Sequence, residues 1–158
     1  MEFTNYFSRE EIFELVERDF PFIDRPKENL LYVVDHSDLL RRIISKNIRK
    51  ITGSRLNEED LYNFYDEFGT LSSEAVKWIF PSFIRLIFRD PLKYDYLAGA
   101  FVSYFENANF VDRNSAYCFQ WLSQNQVETT CRMLDYISQE TDYVVSVAIE
   151  NVLNYGEM

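Results

Sequence analysis

Few residues of this chain could do acid–base, nucleophilic or metal chemistry, and they stand apart. There is a single histidine, His36, in the run Asp35-His36-Ser37-Asp38. A histidine there could bind a metal or move a proton near neutral pH. No second histidine or cysteine stands at ligand spacing, so the run reads as a loop before a helix, with Ser37 or Asp38 as N-cap. The two cysteines, Cys118 and Cys131, make neither a disulfide framework nor a metal-ligand pair. They read as reduced, buried thiols of a cytosolic protein. Carboxylates are plentiful, for example Glu58, Glu59 and Asp60, or Asp66 and Glu67. Two close carboxylates are the tool of a glycosidase-like hydrolase. These stand at expected helix starts and on solvent faces, where acids serve the helix dipole and solubility. Ser–His–Asp catalysis would have to use His36, and no serine is marked as its nucleophile. G-x-S-x-G, G-x-x-x-x-G-K-[ST], G-x-G-x-x-G, H-E-x-x-H and paired Glu-x-x-His motifs do not occur. No catalytic, cofactor-binding or metal-binding residue is assigned, and no cofactor is expected.

Charge is distributed more tellingly. The net charge is −10. Residues 38–55 nevertheless hold Arg41, Arg42, Lys46, Arg49, Lys50 and Arg55 against one acid, Asp38, so that segment carries +5 and the remainder −15. A basic helix within an acidic protein is either a nucleic-acid reader, with Arg42, Lys46 and Arg49 on one face, or an internal partner of acidic neighbours such as Glu10, Glu14 and Glu17. The internal pairing is preferred: no aromatic platform interleaves with the basic residues along the chain, and the acidic whole repels phosphate backbones. The same field attracts a basic protein and speeds its encounter. Tyr6, Tyr62, Tyr94, Tyr96, Tyr117, Tyr136, Tyr143 and Tyr155 cannot all be buried cheaply, since each hydroxyl needs a partner. Exposed tyrosine in an acidic surface is protein-interface material.

These side chains need helices to position them. Apolar residues are 47% of the 158 and aromatics 17%, whereas Gly and Pro number four each, a balance that favours a helical domain over a turn-rich β fold. Size sets one domain, residues 1–158. Ser8 to Glu11 fits a capping box, with Phe7 and Ile12 at the hydrophobic-staple positions, and opens a helix to about Asp19. Leu30 to Val34 is extended or a single helical turn. Leu39, Leu40, Ile43, Ile44, Ile48 and Ile51 give one face of a helix from Asp38 to about Thr52, stopped by Gly53. Asn57 with Asp60 starts a helix to about Glu67, ended by Gly69. Ser72 caps the central helix, about 72–89, whose apolar arc runs from Val76 to Phe88 while Lys77, Arg85 and Arg89 are expected in water. Pro81 lies in its middle and either kinks it or splits it near Ile79. Leu92–Glu106 is the next helix, where Gly99 and Ala100 permit close approach. Ser123 with Gln126 is another capping box, and Thr141 is the expected cap of a last helix to about Asn154. The fold expected is an all-α bundle of six to seven helices around a central, Pro-kinked helix.

Leu71-Ser72-Ser73-Glu74-Ala75, followed by Trp78 to Phe80 and Pro81-Ser82-Phe83-Ile84, resembles an uncharacterised family of small bacterial all-helical proteins that reads L-S-x-E-A, then L-P-A-Y-L. Leu122-Ser123-x-x-Gln126 with Leu134 is similar to its second recurring piece, while Phe80 and Phe83 stand where the family has leucine and tyrosine. The resemblance covers about residues 57–137 and implies a helical fold, with no activity and no site. The N-terminus lacks a basic region followed by an apolar run, and no apolar stretch reaches the ~18 residues needed to span a bilayer, so a cytoplasmic protein is expected. The function expected is that of a non-enzymatic protein-binding protein, such as a bacterial immunity or inhibitor protein that neutralises a basic toxin. The alternatives are a carboxylate-dependent hydrolase and a nucleic-acid-related regulator.

Overall fold

The structure, a computed structural model, describes residues 7–157. Seven helices carry the chain: α1 (Arg9–Asp19), α2 (Leu39–Ile48), α3 (Glu58–Phe64), α4 (Ser73–Arg89), α5 (Asp95–Glu106), α6 (Gln124–Glu140) and α7 (Ser146–Gly156). Single 3-10 turns occur at Glu28–Leu30 and Phe68–Thr70. Among the described residues there is no strand beyond the isolated bridges Tyr32–Leu71 and Ser72–Ser115. The segment from Leu30 to Val34 is thus part turn and part extended, both forms that its sequence allows.

The helix starts follow the cap chemistry closely. Ser8 and Glu11, Asn57 and Asp60, and Ser123 and Gln126 all form reciprocal capping boxes. Asp38 accepts from the backbone N–H of Arg41 at 3.0 Å, and Ser72 caps α4 by accepting from Ala75. The helix ends do not follow glycine. No described glycine takes a positive φ, so Gly53 and Gly69 are not left-handed stops, and Gly156 lies inside α7. The chain instead tightens: Lys50 and Ile51 donate to Asn47 and Ile48, which ends α2 at Ile48 rather than near Thr52. α3 likewise ends at Phe64, short of Glu67, and the turn at Phe68 follows. α5 starts at Asp95, leaving Leu92 exposed. Thr141 caps backwards, its hydroxyl donating to Ile137 O at the end of α6, and α7 begins only at Ser146 without a side-chain cap.

α1 packs on α4 and α6, α7 packs on α6 and α5, and α5 returns to α4, so these five helices close a ring. α2 and α3 pair with each other beside it. α4 runs unbroken through Pro81, and twelve of its 17 residues are buried. A proline inside a helix forfeits one backbone bond and costs ~3 kcal/mol, and here burial on every side of the turn holds the helix together. Phe80 lies at the centre of an aromatic core, its ring 5.2–6.4 Å from those of Phe20, Phe83, Phe101, Tyr104, Phe105 and Trp121.

The opposite stripe of α4 is polar in its bonds. Trp78, Ser82 and Arg85 stand at i, i+4 and i+7 and so share a face. The Trp78 indole donates to Gly53 O at 3.1 Å, the Ser82 hydroxyl accepts from Leu56 N–H at 2.9 Å, and Arg85 donates to Phe20 O at 2.7 Å and Pro81 O at 3.0 Å. Arg85 was expected in water, but two carbonyls and the Phe22 ring, 4.2 Å from its guanidinium carbon, receive it.

The apolar periodicity overcounts burial in two elements. Leu39 is 68% and Ile43 54% exposed, whereas Ile44 and Ile48 are buried. Val144 and Val147 are exposed, and Ala148 and Val152 carry the inner face of α7. Each of these elements packs against the fold on one narrow side, so a wide apolar arc cannot all be covered. Gly99 does allow close approach: a Cβ there would meet the Tyr143 hydroxyl at 2.5 Å. No described helix is long and apolar enough to cross a membrane.

Candidate functional site

A tyrosine cluster joins α3 to the start of α5. α3 and its C-cap place Tyr62 and Tyr65 three residues apart on one face, and the start of α5 brings up its N-cap Tyr94 and Tyr96. Ring centroids are 6.2 Å apart for Tyr62–Tyr65, 6.0 Å for Tyr62–Tyr96, 5.2 Å for Tyr65–Tyr96 and 6.5 Å for Tyr94–Tyr96. Tyr94 is buried and donates to Glu58 Oε2 at 3.2 Å, which anchors the group. Tyr62 is 63% exposed and forms its outer tip. Glu58 and Asp95 are exposed beside it, Lys93 lies 5.2 Å over the Tyr94 ring, and the exposed Glu59 and Asp66 stand three and four residues from Tyr62 in the chain. Burial, then the charges of Glu58 and the other tyrosines, raises the Tyr96 pKa, so that hydroxyl stays protonated and able to donate at physiological pH.

Asp95 also lines a groove of about 570 Å³ with Leu92, Gln139, Glu140, Thr141, Asp142 and Tyr143. The Tyr143 hydroxyl donates to Asp95 Oδ2 at 3.3 Å, which fixes that carboxylate at the groove wall. The face is therefore aromatic at one end and acidic at the other.

The other tyrosines resolve differently. Tyr136 and Tyr155 are buried, and Tyr117 and Tyr143 are half-buried. Tyr155 donates to Asn109 O and stacks on Phe110 with centroids 4.4 Å apart. Tyr6 lies outside the described residues. Tyr65, which the sequence did not single out, is a member of the cluster; its spacing from Tyr62 is the available signal.

His36 is exposed in a turn held by Asp35, whose carboxylate accepts from both the backbone N–H and the hydroxyl of Ser37. Those bonds lower the Asp35 pKa. Asp38, not Ser37, caps α2. Asp60 is engaged in its capping box and Glu58 by Tyr94. Among the described residues no group of three His, Cys, Asp or Glu side chains could hold a metal ion. Cys118 and Cys131 are free and buried, and burial pushes the Cys131 thiol up to about 12.

The basic segment behaves unlike its expected internal pairing. Of its six cations only Arg49 makes an ion pair among the described residues, with Glu28 at 3.6 Å, and none reaches Glu10, Glu14 or Glu17. Aromatic rings do interleave with arginines, but they come from elsewhere in the chain. Arg41 lies 4.4 Å over Tyr32, Arg55 4.6 Å over Phe22 and Arg25 6.0 Å over Trp78. Inspection of residues 38–55 alone could not find these platforms, because they are supplied by residues 22–32 and by α4. The chain matches no family model, no curated protein and no solved structure.

Proposed function

We propose that this chain is a non-enzymatic protein-binding protein of the immunity or inhibitor type, which holds a basic partner on the Tyr62 face. The observation that carries the reading is the four-tyrosine cluster with its exposed tip and acidic rim. Tyrosine supplies contact area at low conformational-entropy cost and keeps a hydroxyl for the wet edge of an interface. A lysine or arginine of the partner fits the groove of Asp95, Glu140 and Asp142, while an apolar side chain of the partner covers Tyr62 and Leu92. The net charge of −10 steers such a partner in and repels acidic competitors. A cytoplasmic setting belongs to the same proposal and accords with two free, buried thiols.

The test is affinity capture from the native host by wild type, Tyr62→Ala and, as a remote control, the exposed Val111→Ser. The expected result is one basic protein, identified by mass spectrometry, that wild type and Val111→Ser retain and Tyr62→Ala loses. Its association rate with wild type should fall steeply with added salt. Capture of the same protein by all three chains, or association indifferent to salt, rejects the assignment.

A further inference from the structure

The arginines around Tyr32 form a second site, which shares no residue with the Tyr62 face. We infer that Arg25 and Arg49, braced by Arg41 and Tyr32, form a binding site for a phosphate group, with Glu28 as its built-in competitor. Arg25 and Arg49 flank one carboxylate: Glu28 Oε2 lies 3.8 Å from Arg25 and Oε1 lies 3.6 Å from Arg49. Both separations exceed hydrogen-bond length, so Glu28 neutralises the guanidinium groups without filling their donor forks. The Arg25 Nε and the Tyr32 hydroxyl are shielded from solvent and, among the described residues, find no hydrogen-bond partner. Donor capacity in this seam therefore exceeds its acceptors, and Arg25, Arg41 and Arg49 together outweigh Glu28 by two charges.

The Arg25 and Arg41 side of the site is also pre-organised. Arg41 donates to Val34 O at 2.6 Å while stacking on the Tyr32 ring, and Arg25 faces the ring of the fully buried Trp78. Fixed arginines lose little freedom when an anion arrives. Glu28 sits in a 3-10 turn with its side chain 48% exposed, free to swing away. A phosphate brings more charge and more oxygens than a carboxylate and suits bidentate arginine, so it displaces Glu28 where a single carboxylate does not.

The probe is pyrophosphate, titrated calorimetrically at low, fixed ionic strength into wild type, Glu28→Gln, Arg49→Met and Arg113→Met, with circular dichroism to confirm the fold of each. Glu28 and Arg49 are exposed enough for their variants to fold. Arg113 is an exposed arginine outside the seam and controls for net charge. Saturable binding is expected in wild type, about fivefold tighter in Glu28→Gln, about tenfold weaker in Arg49→Met and unchanged in Arg113→Met. A parallel flotation with phosphatidic acid vesicles against phosphatidylcholine vesicles separates the sources of phosphate. Co-flotation in the same variant order assigns a lipid headgroup, and pyrophosphate binding without flotation assigns a soluble ligand. The site is overturned if neither probe binds wild type or Glu28→Gln, or if Arg49→Met and Arg113→Met weaken binding equally.

Discussion

Toward α5 the rings of α4 meet other rings; toward the loop at residues 22–34 rings and arginines meet, Trp78 facing Arg25 and Phe22 facing Arg85. Phe80 has six aromatic neighbours and no polar contact to satisfy. Trp78, two positions away, donates to Gly53 O and faces Arg25. The same residue class thus fills the core on one side and serves as a cation platform on the other. The two regions treat charge differently as well. At the rim of the helix ring, Arg18 and Asp19 meet at 2.8 Å through two parallel bonds, and Thr129 donates to the same carboxylate at 2.5 Å. In the seam, the arginines stand 3.6 and 3.8 Å from Glu28. A bidentate pair with a third donor on the same carboxylate is a structural tie; a loose pair leaves donors for something else.

The strongest way to break this contrast is at Phe80. Replacing it by Ala opens a cavity among six rings, and cores of this kind lose about 3–5 kcal/mol. Chemical denaturation should show that loss as a lower midpoint with unchanged slope. A loss under 1 kcal/mol would mean that Phe80 is not the hub its neighbours make it.

Asp19 comes next. Its side chain is 4% exposed, and its backbone carbonyl accepts from Gln126 at 2.9 Å, so it ties the end of α1 to the start of α6. Asp19→Ala should cost about 2 kcal/mol, because the buried Thr129 hydroxyl loses its acceptor. The Arg18 bonds, reinforced by Thr129 and opposed by burial, hold the carboxyl pKa below its ordinary value. A lowered carboxyl contributes stability that is complete above the unfolded value of about 3.9 and lost as pH falls through the folded value. Asp19→Asn should therefore be less stable than wild type at pH 7, and the two curves should converge in acid. Parallel curves down to the acid transition would remove the charge from the explanation.

How far the sequence showed all this depends on the range of the interaction. Caps are local, and Ser8, Asp38, Asn57, Ser72 and Ser123 were legible because their partners lie within three residues. Helix ends were less legible: Gly53 and Gly69 looked like stops, but 3-10 tightening and packing set the boundaries. Burial on α2 was misjudged at Leu39 and Ile43, since periodicity gives the direction of a face and not the width of its neighbour. The arginine platforms were invisible for a plainer reason. Phe22 and Arg85 are 63 residues apart, and no local pattern encodes their meeting. The tyrosine face falls between: Tyr62 and Tyr65 are readable as a pair, whereas their meeting with Tyr94 and Tyr96 is tertiary.

Thr130 sharpens the comparison from inside the ring. The residue is fully buried on α6, and its hydroxyl has no partner among the described residues. Thr130→Val keeps the shape and removes the unsatisfied group, so it should stabilise the fold by about 1 kcal/mol. A destabilised variant would show that the hydroxyl is bonded in solution.

The smallest effect is expected where the proposed phosphate site lies. Glu28 is half exposed and its two contacts are long, the kind of ion pair worth about 0–1 kcal/mol. Glu28→Gln should change the unfolding free energy by less than about 0.5 kcal/mol in either direction, because the repulsion left between Arg25 and Arg49 is screened by solvent. The contrast with Asp19 is the informative quantity. Both acids sit beside arginines, yet one change should cost about 2 kcal/mol and the other almost nothing. A large loss at Glu28 would place it among the structural ties and make it the glue of the arginine seam instead of a stand-in for an incoming anion.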